Sequence, residues 1–275
     1  MLVGPLTIDR YVDEGRALPG GGAVNMAYHW ASFGRPVTLI GRIGAADAAV
    51  FEWFAARHGI DLSDDVVVDG PSSSIDIVFR PDGQPWMDGF IEGANAALRL
   101  SDAELVPLEA GTPAHLVLVD VVDAELHRWA AEDRLARARL SGDFLDFRHM
   151  STARFRATAA HLDLAFVGWP GDRADDQIAA LVDAANDLGT ILVVTFGSAG
   201  VLVADGRDAT STWFDVDARP VTGTTVGCGD AFIAAFLHSW YETNDLGRAV
   251  DRGRRLGADA TAWQRPLPEI AYAES

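Results

Sequence analysis

Short apolar runs alternate with segments whose apolar positions recur at helical spacing along most of this chain. GGAVNMAYHWASFG carries a helical apolar face and closes on Gly34, with Pro36 just beyond it. PVTLIGRIG reads as one buried strand. DAAVFEWFAARHG predicts a helix with Asp47 as N-cap, Phe51, Phe54 and Ala55 on one face, and a stop at Gly59. The texture then changes: roughly 66–93 alternates with period two, holds a PDGQP turn and lacks any helix pattern. From Ser101, which has capping-box spacing to Glu104, strands and helices alternate again. HLVLVD, DFLDF, HLDLAFVG and TILVVTFG read as strands, and GVLVADG as part of a hairpin. Helices are predicted over about 123–139, 151–161, 174–188, 228–241 and 245–263. EDRLARARL reads as a solvated helix face.

Alternation of this kind predicts an α/β fold, a mostly parallel central sheet flanked by helices, with ligands beyond the carboxyl ends of the strands. The organisation expected is a single domain over 1–275. A small β lid, from about 10–19 and 66–93, is inserted in it.

Charge narrows the partners. With 22 basic against 40 acidic residues the formal charge is −18, which argues against a nucleic-acid-binding face. An anionic ligand then needs a local device to hold it. The single Cys228 excludes an internal disulfide framework and suits a reducing cytoplasm, the expected location. No apolar run is long enough to span a bilayer, so no membrane partner is expected, and no leader is recognisable ahead of MLVGPLTID. The seven histidines show no metal-ligand spacing; His29, His58 and His127 fit helix surfaces or edges. Trp86, inside the β-only segment, is the tryptophan suited to stack on a ligand.

Two glycine clusters carry candidate chemistry. In TTVGCGDAF, Gly227 and Gly229 can take backbone angles closed to other residues, and a helix follows at once. Converging N–H groups and the positive end of a helix make an anion site without a basic side chain. Asp230 in that first turn reads equally as a helix-stabilising acid. In PGGGAVNMAY, Gly20, Gly21 and Gly22 precede a helix whose first turn holds Asn25. That suits close backbone approach by a polyhydroxylated ligand; the plainer reading is a flexible turn before an ordinary amphipathic helix. Asp9 lies just past the first strand, where a lone acid is usually a turn residue.

Together, VGPLTID, the PGGGAVNMAYHWASFG…VTLIGRIGAADA…FEWFAARHGID series, VVTFGSAGVLV and TTVGCGDAFIAAF resemble the ribokinase-like (PfkB) carbohydrate kinase family. The resemblance runs in order over essentially the whole chain. It implies a ribokinase-like α/β domain with a small β lid, and ATP-dependent phosphorylation of a sugar hydroxyl with Mg²⁺, leaving room for a monovalent cation. It implies Asp230 as catalytic base, with Gly227, Cys228 and Gly229 holding the transferred phosphoryl group. Asp9, Gly21, Gly22 and Asn25 would bind sugar hydroxyls; Thr195, Gly197, Gly200 and Thr225 would contact nucleotide.

The chain departs from the family pattern in places. Thr224 stands where an Asp is usual, Cys228 replaces a small residue, and FVGWPGDRADD lacks the Asn-x-x-Glu motif tied to Mg²⁺. Asp172 is the nearest candidate acid. GFIEGANAALRLS and ARFRATAAHLDLAFVG are similar to the fructoselysine 6-kinase-like branch, which implies a ketosamine substrate with Glu92 meeting its amine or a ring hydroxyl. A homodimer through the lid belongs to the same expectation. Two other readings stay open: a nucleoside kinase, and a non-catalytic sugar or nucleotide sensor on the same fold.

Overall fold

The structure, a computed structural model, describes residues 1–80, 85–147 and 150–273. The chain divides into two compact units: Leu2–Leu98 with the residues from Arg219 onward, and Arg99–Ala218 with Met1.

The first unit opens with strands β1 (Leu2–Val3), β2 (Thr7–Tyr11) and β3 (Arg16–Gly20), then helix α1 (Gly22–Ser32). Strand β4 (Thr38–Ile40), strand β5 (Ile43–Gly44), helix α2 (Ala48–His58), β6 (Asp61–Leu62) and β7 (Val67–Val68) follow. The long strands β8 (Ser73–Phe79) and β9 (Pro85–Ile91) end this stretch. Strands β1, β4 and β6 pair in parallel. Strands β3, β2, β8 and β9 make a separate four-stranded sheet. PVTLIGRIG is therefore two strands and not one: β4 pairs with β1, β5 with β7. The chain changes sheets between Ile40 and Ile43, and Gly41 there packs against Gly4, where a Cβ would lie 2.6 Å from its carbonyl oxygen. Asp47 is the N-cap residue of α2, as expected, but its side chain makes no capping bond; its carboxylate accepts the N–H of Ser72 at 2.8 Å instead. Of the PDGQP turn, residues 81–84 lie outside the described residues.

The second unit runs α3 (Asp102–Glu109), β10 (Pro113–Val117), α4 (Asp120–Ala131), β11 (Arg139–Asp146), α5 (Thr152–Ala159), β12 (Leu164–Gly168), α6 (Asp176–Leu188) and β13 (Ile191–Thr195). An antiparallel pair, β14 (Val201–Asp205) and β15 (Thr210–Phe214), completes it. Strands β10 to β13 pair in parallel, and β14 lies antiparallel to β13. Leu164–Val167 and Ile191–Val194 are buried throughout, as strands covered on both faces must be. Ser101 and Glu104 form the expected capping box. The helix expected over 123–139 is instead α4, which starts at Asp120 and ends at Ala131. Asp133 takes φ of +56°, which ends helical geometry, and Arg139 already begins β11. EDRLARARL is thus a turn and a strand start, not a helix face.

The chain then returns to the first unit with α7 (Cys228–Thr243) and α8 (Leu246–Ala260). Gly253 of α8 lets the two helices touch, since a Cβ there would come within 2.9 Å of the Phe232 ring. No helix among the described residues is long and apolar enough to cross a membrane.

Candidate active site

Three elements of the first unit bring Asp9, Asn25 and Asp230 together. Side chains alternate along β2, so Thr7 and Asp9 share a face. Thr7 Oγ1 donates to Asp9 Oδ1 at 2.7 Å. Gly20 pairs with Thr7 across the β2–β3 ladder, and a Cβ at Gly20 would lie 2.1 Å from Asp9 Oδ2. The bare backbone gives the buried Asp9 carboxylate its room. Gly21 turns the chain into α1 with φ of +94°, and a Cβ there would meet Pro5 O at 2.6 Å. Gly22 opens the helix, and Asn25 follows in its first turn.

Helix α1 is held to α7 by Trp30, whose Nε1 donates to Ala234 O at 3.0 Å. One turn away, Asn25 Nδ2 donates to Asp230 Oδ2 at 2.7 Å. Asn25 is buried and its Oδ1 has no protein partner. An acceptor buried without a partner costs about 1–3 kcal/mol. A ligand hydroxyl at that oxygen would remove the deficit.

The loop before α7 is folded by Thr224. Its buried Oγ1 accepts the N–H of Val226 at 3.2 Å, and its own N–H donates to Trp263 O at 2.8 Å. Gly227 then sits at the N-cap of α7 with φ of +78° and packs on Pro266, so no other residue fits there. No side chain caps α7. Gly229, expected to share the unusual backbone, is not at positive φ but in the helix itself. Its contribution is space: it is exposed, and a Cβ there would meet nothing within 4 Å. The helix N-terminus is therefore open to an anion on the Gly229 side. The Cys228 thiol donates to Thr224 O at 3.8 Å, and burial, then the Asp230 charge, pushes its pKa up to about 11. Burial thus favours the neutral thiol over the thiolate.

Burial dominates the carboxylates. It pushes Asp230 up to about 6, against the opposing hydrogen bond from Asn25. Asp9 is pushed up to about 7, mainly by burial; Thr7 lowers it and the Asp230 charge raises it further. Asp230 is the stronger acid of the two, and Asp9 is the carboxyl that keeps its proton to higher pH. One acceptor and one group able to donate stand in the same site.

The second unit holds a pocket of about 270 Å³ lined by Asp146, Gly168, Trp169, Pro170, Thr195 and Gly197. Thr195 ends β13, and Gly197 follows in a short turn at φ of +57°. Gly200 does not line the pocket; it passes against the Trp213 ring, and its carbonyl accepts the N–H of Phe196. Thr225, in the first unit, is exposed, and its carbonyl accepts the N–H of Cys228.

The remaining candidates sit apart from these groups. Asp172 is an exposed turn residue whose Oδ1 accepts the N–H of Ala174 at 2.9 Å. Among the described residues no group of three or more His, Cys, Asp or Glu is placed to hold a metal ion. Glu92 is exposed at the end of β9, and its carbonyl accepts the Ser73 hydroxyl. Trp86 is exposed with the Arg80 guanidinium 4.4 Å over its ring. His29 is not on a helix surface: it is buried, stacked on Trp263 at 5.7 Å, and burial lowers it to about 4. Sequence reading also passed over Thr7 and Arg265. The Thr-x-Asp spacing on a strand is the signal that would have found Thr7.

Residues 7–262 match the family model described as pfkB family carbohydrate kinase. The chain belongs to that family and is an ATP-dependent carbohydrate kinase. It is 26 % identical over 263 residues to the fructoselysine 6-kinase of Escherichia coli, covering 93 % of this chain and 94 % of that protein. Its fold is similar to Schistosoma mansoni adenosine kinase in complex with 2-fluoroadenosine, with a TM-score of 0.79 at 12 % identity over 97 % and 96 % of the two chains. Thermotoga maritima ribokinase gives a TM-score of 0.73 at 20 % identity over 98 % and 97 %. The fold is thus ribokinase-like, a mostly parallel sheet flanked by helices.

Proposed function

We propose that this kinase phosphorylates a hydroxyl of a ketosamine, a fructose joined to an amine, with Asp230 as the base. The observation that carries the mechanism is the Asn25–Asp230 hydrogen bond beside an uncapped, open helix N-terminus. Phosphoryl transfer asks a protein mainly for positioning and for neutralisation of charge on the moving group. The backbone of 227–230, at the start of α7, supplies that neutralisation. Asp230 accepts the proton of the attacking hydroxyl, and Asn25 holds its carboxylate in place. The free Oδ1 of Asn25 and the buried Asp9 take further sugar hydroxyls, alongside the backbone of Gly21 and Gly22. Thr195, Gly197, Gly200 and Thr225 are assigned to nucleotide contact, and Asp172 to the water shell of Mg²⁺. Bound with ATP, Mg²⁺ supplies charge neutralisation on the phosphates.

The ketosamine preference rests on similarity to fructoselysine 6-kinase along nearly the full length of both proteins. Glu92, exposed at the end of β9, would meet the amine; a charged hydrogen bond there contributes about 1.5–3 kcal/mol. Strands β2, β3, β8 and β9 act as the lid. The exposed Trp86, Met87, Phe90 and Ile91 on β9 would be covered by a second copy, giving a homodimer. Sedimentation of the purified protein tests the dimer.

The substrate test is coupled ADP release with MgATP over fructoselysine, fructose, ribose and adenosine. The highest kcat/KM is expected on fructoselysine. A higher value on fructose, ribose or adenosine removes the ketosamine assignment, and no turnover on any of them favours a sensor.

A further inference from the structure

Residues 261–269 touch two parts of the candidate site at once, both within the first unit. On one side this strap holds the loop before α7. Gly223 N–H donates to Thr261 O at 2.8 Å and Thr224 N–H to Trp263 O at 2.8 Å. Pro266 lies directly under Gly227, its Cα 2.7 Å from where a Cβ would stand. On the other side the neighbouring residue, Arg265, reaches the β2–β3 hairpin. Its buried guanidinium pairs with Glu14 and with Glu269 and lies 5.3 Å from the centre of the Tyr11 ring. Arg16 closes the cluster, donating to Glu269 Oε1 at 3.0 Å. Tyr11, Glu14 and Arg16 flank the turn of the hairpin whose strand β2 carries Thr7 and Asp9.

Arg265 and Pro266 are consecutive, and proline fixes its own φ. A shift of the hairpin that drags the guanidinium therefore loads the backbone under Gly227. A buried guanidinium is held in one place only while both carboxylates stay paired with it. We propose that Arg265 is a positioning residue that ties the sugar-side strand to the phosphoryl-side loop. Closing the hairpin over substrate then sets the 222–230 loop for transfer. This rests on the kinase reading above, and the experiment separates the two.

Two variants test it: Arg265→Lys, which keeps the charge but loses the planar fork, and Glu14→Gln, which changes only the hairpin end. Amide exchange is read first, without substrate. Both variants should speed exchange in 222–230 by about tenfold while leaving 191–195 at parental rates. Parental exchange in 222–230 in both variants overturns the strap. Turnover with fructoselysine and MgATP is read second. The kcat should fall about tenfold in both variants while the sugar KM stays within about twofold, the split expected of a lost positioning contact. A raised KM with unchanged kcat overturns the positioning role and makes the cluster part of sugar affinity alone. If the parent turns over none of the four substrates, the kinase assignment fails by itself, and the exchange result still decides the strap.

Discussion

The carboxamide of Asn25 donates to the carboxylate of Asp230 at 2.7 Å, joining residues 205 positions apart in sequence. The bond favours the ionised carboxylate, while burial opposes it and leaves Asp230 at about 6. A base works only when ionised, so kcat/KM should fall on the acid side with a midpoint near pH 6. Asn25→Ala removes the stabilising donor, so the acid limb should move upward by on the order of one unit. A pH–rate profile of both proteins measures this. An acid limb that stays put in the variant means the hydrogen bond does not tune the base.

Asp9 carries the opposite lesson for stability. Its folded value, about 7, lies above the ordinary carboxylate value of 3.8, so the folded state keeps a proton that the unfolded chain releases. Its contribution is fully present below the unfolded value and is lost as pH rises through about 7. Asp9→Asn should therefore raise Tm at pH 8 by clearly more than at pH 5, where only part of that stability has yet been lost. Calorimetry at the two pH values checks this, and a Tm increase of equal size at both would rule out ionisation as the cause.

The two glycines of the α7 start should separate in their effects. Gly227→Ala meets both a positive φ and the Pro266 backbone, so it should destabilise by at least about 1–2 kcal/mol. Gly229→Ala meets no protein atom and removes a helical glycine, so stability should be kept or gain up to about 1 kcal/mol. Its methyl group occupies the space proposed for the transferred phosphoryl, so turnover should nevertheless drop. Denaturant unfolding beside an activity assay distinguishes the pair. Full activity in Gly229→Ala would place the anion elsewhere.

The alternation that built the second unit was legible because β12 and β13 are apolar at nearly every position and their helices end at recognisable signals, as α6 does at Gly189. Asp230, Gly227 and Asn25 were legible as types of residue in local patterns. Their meeting was not, because it depends on α1 packing on α7 through Trp30 and Ala234. Local pattern also misplaced residues whose partners are distant in sequence. Asp47 looked like a capping side chain but bonds Ser72, His29 looked like surface but stacks on Trp263, and Gly229 looked like a strained turn but is helical. In each case tertiary contact decided what neighbouring residues left open.

If the sheet of β2, β3, β8 and β9 is the proposed lid, it should lose mobility when sugar binds and exclude water that would otherwise consume ATP. Amide exchange across 73–79 and 85–91 should slow with saturating fructoselysine. Unchanged exchange would make this sheet a static wall.

Coupled ADP release by Asp230→Asn against the parent, at saturating MgATP and the best sugar, tests the central claim most directly. Asparagine keeps the size of the side chain but cannot accept the hydroxyl proton. The variant should fold normally and bind ATP as the parent does, yet lose about 10²–10⁴ in kcat. Turnover close to the parental value would contradict the assignment of Asp230 as the base and leave it only a first-turn acid of α7.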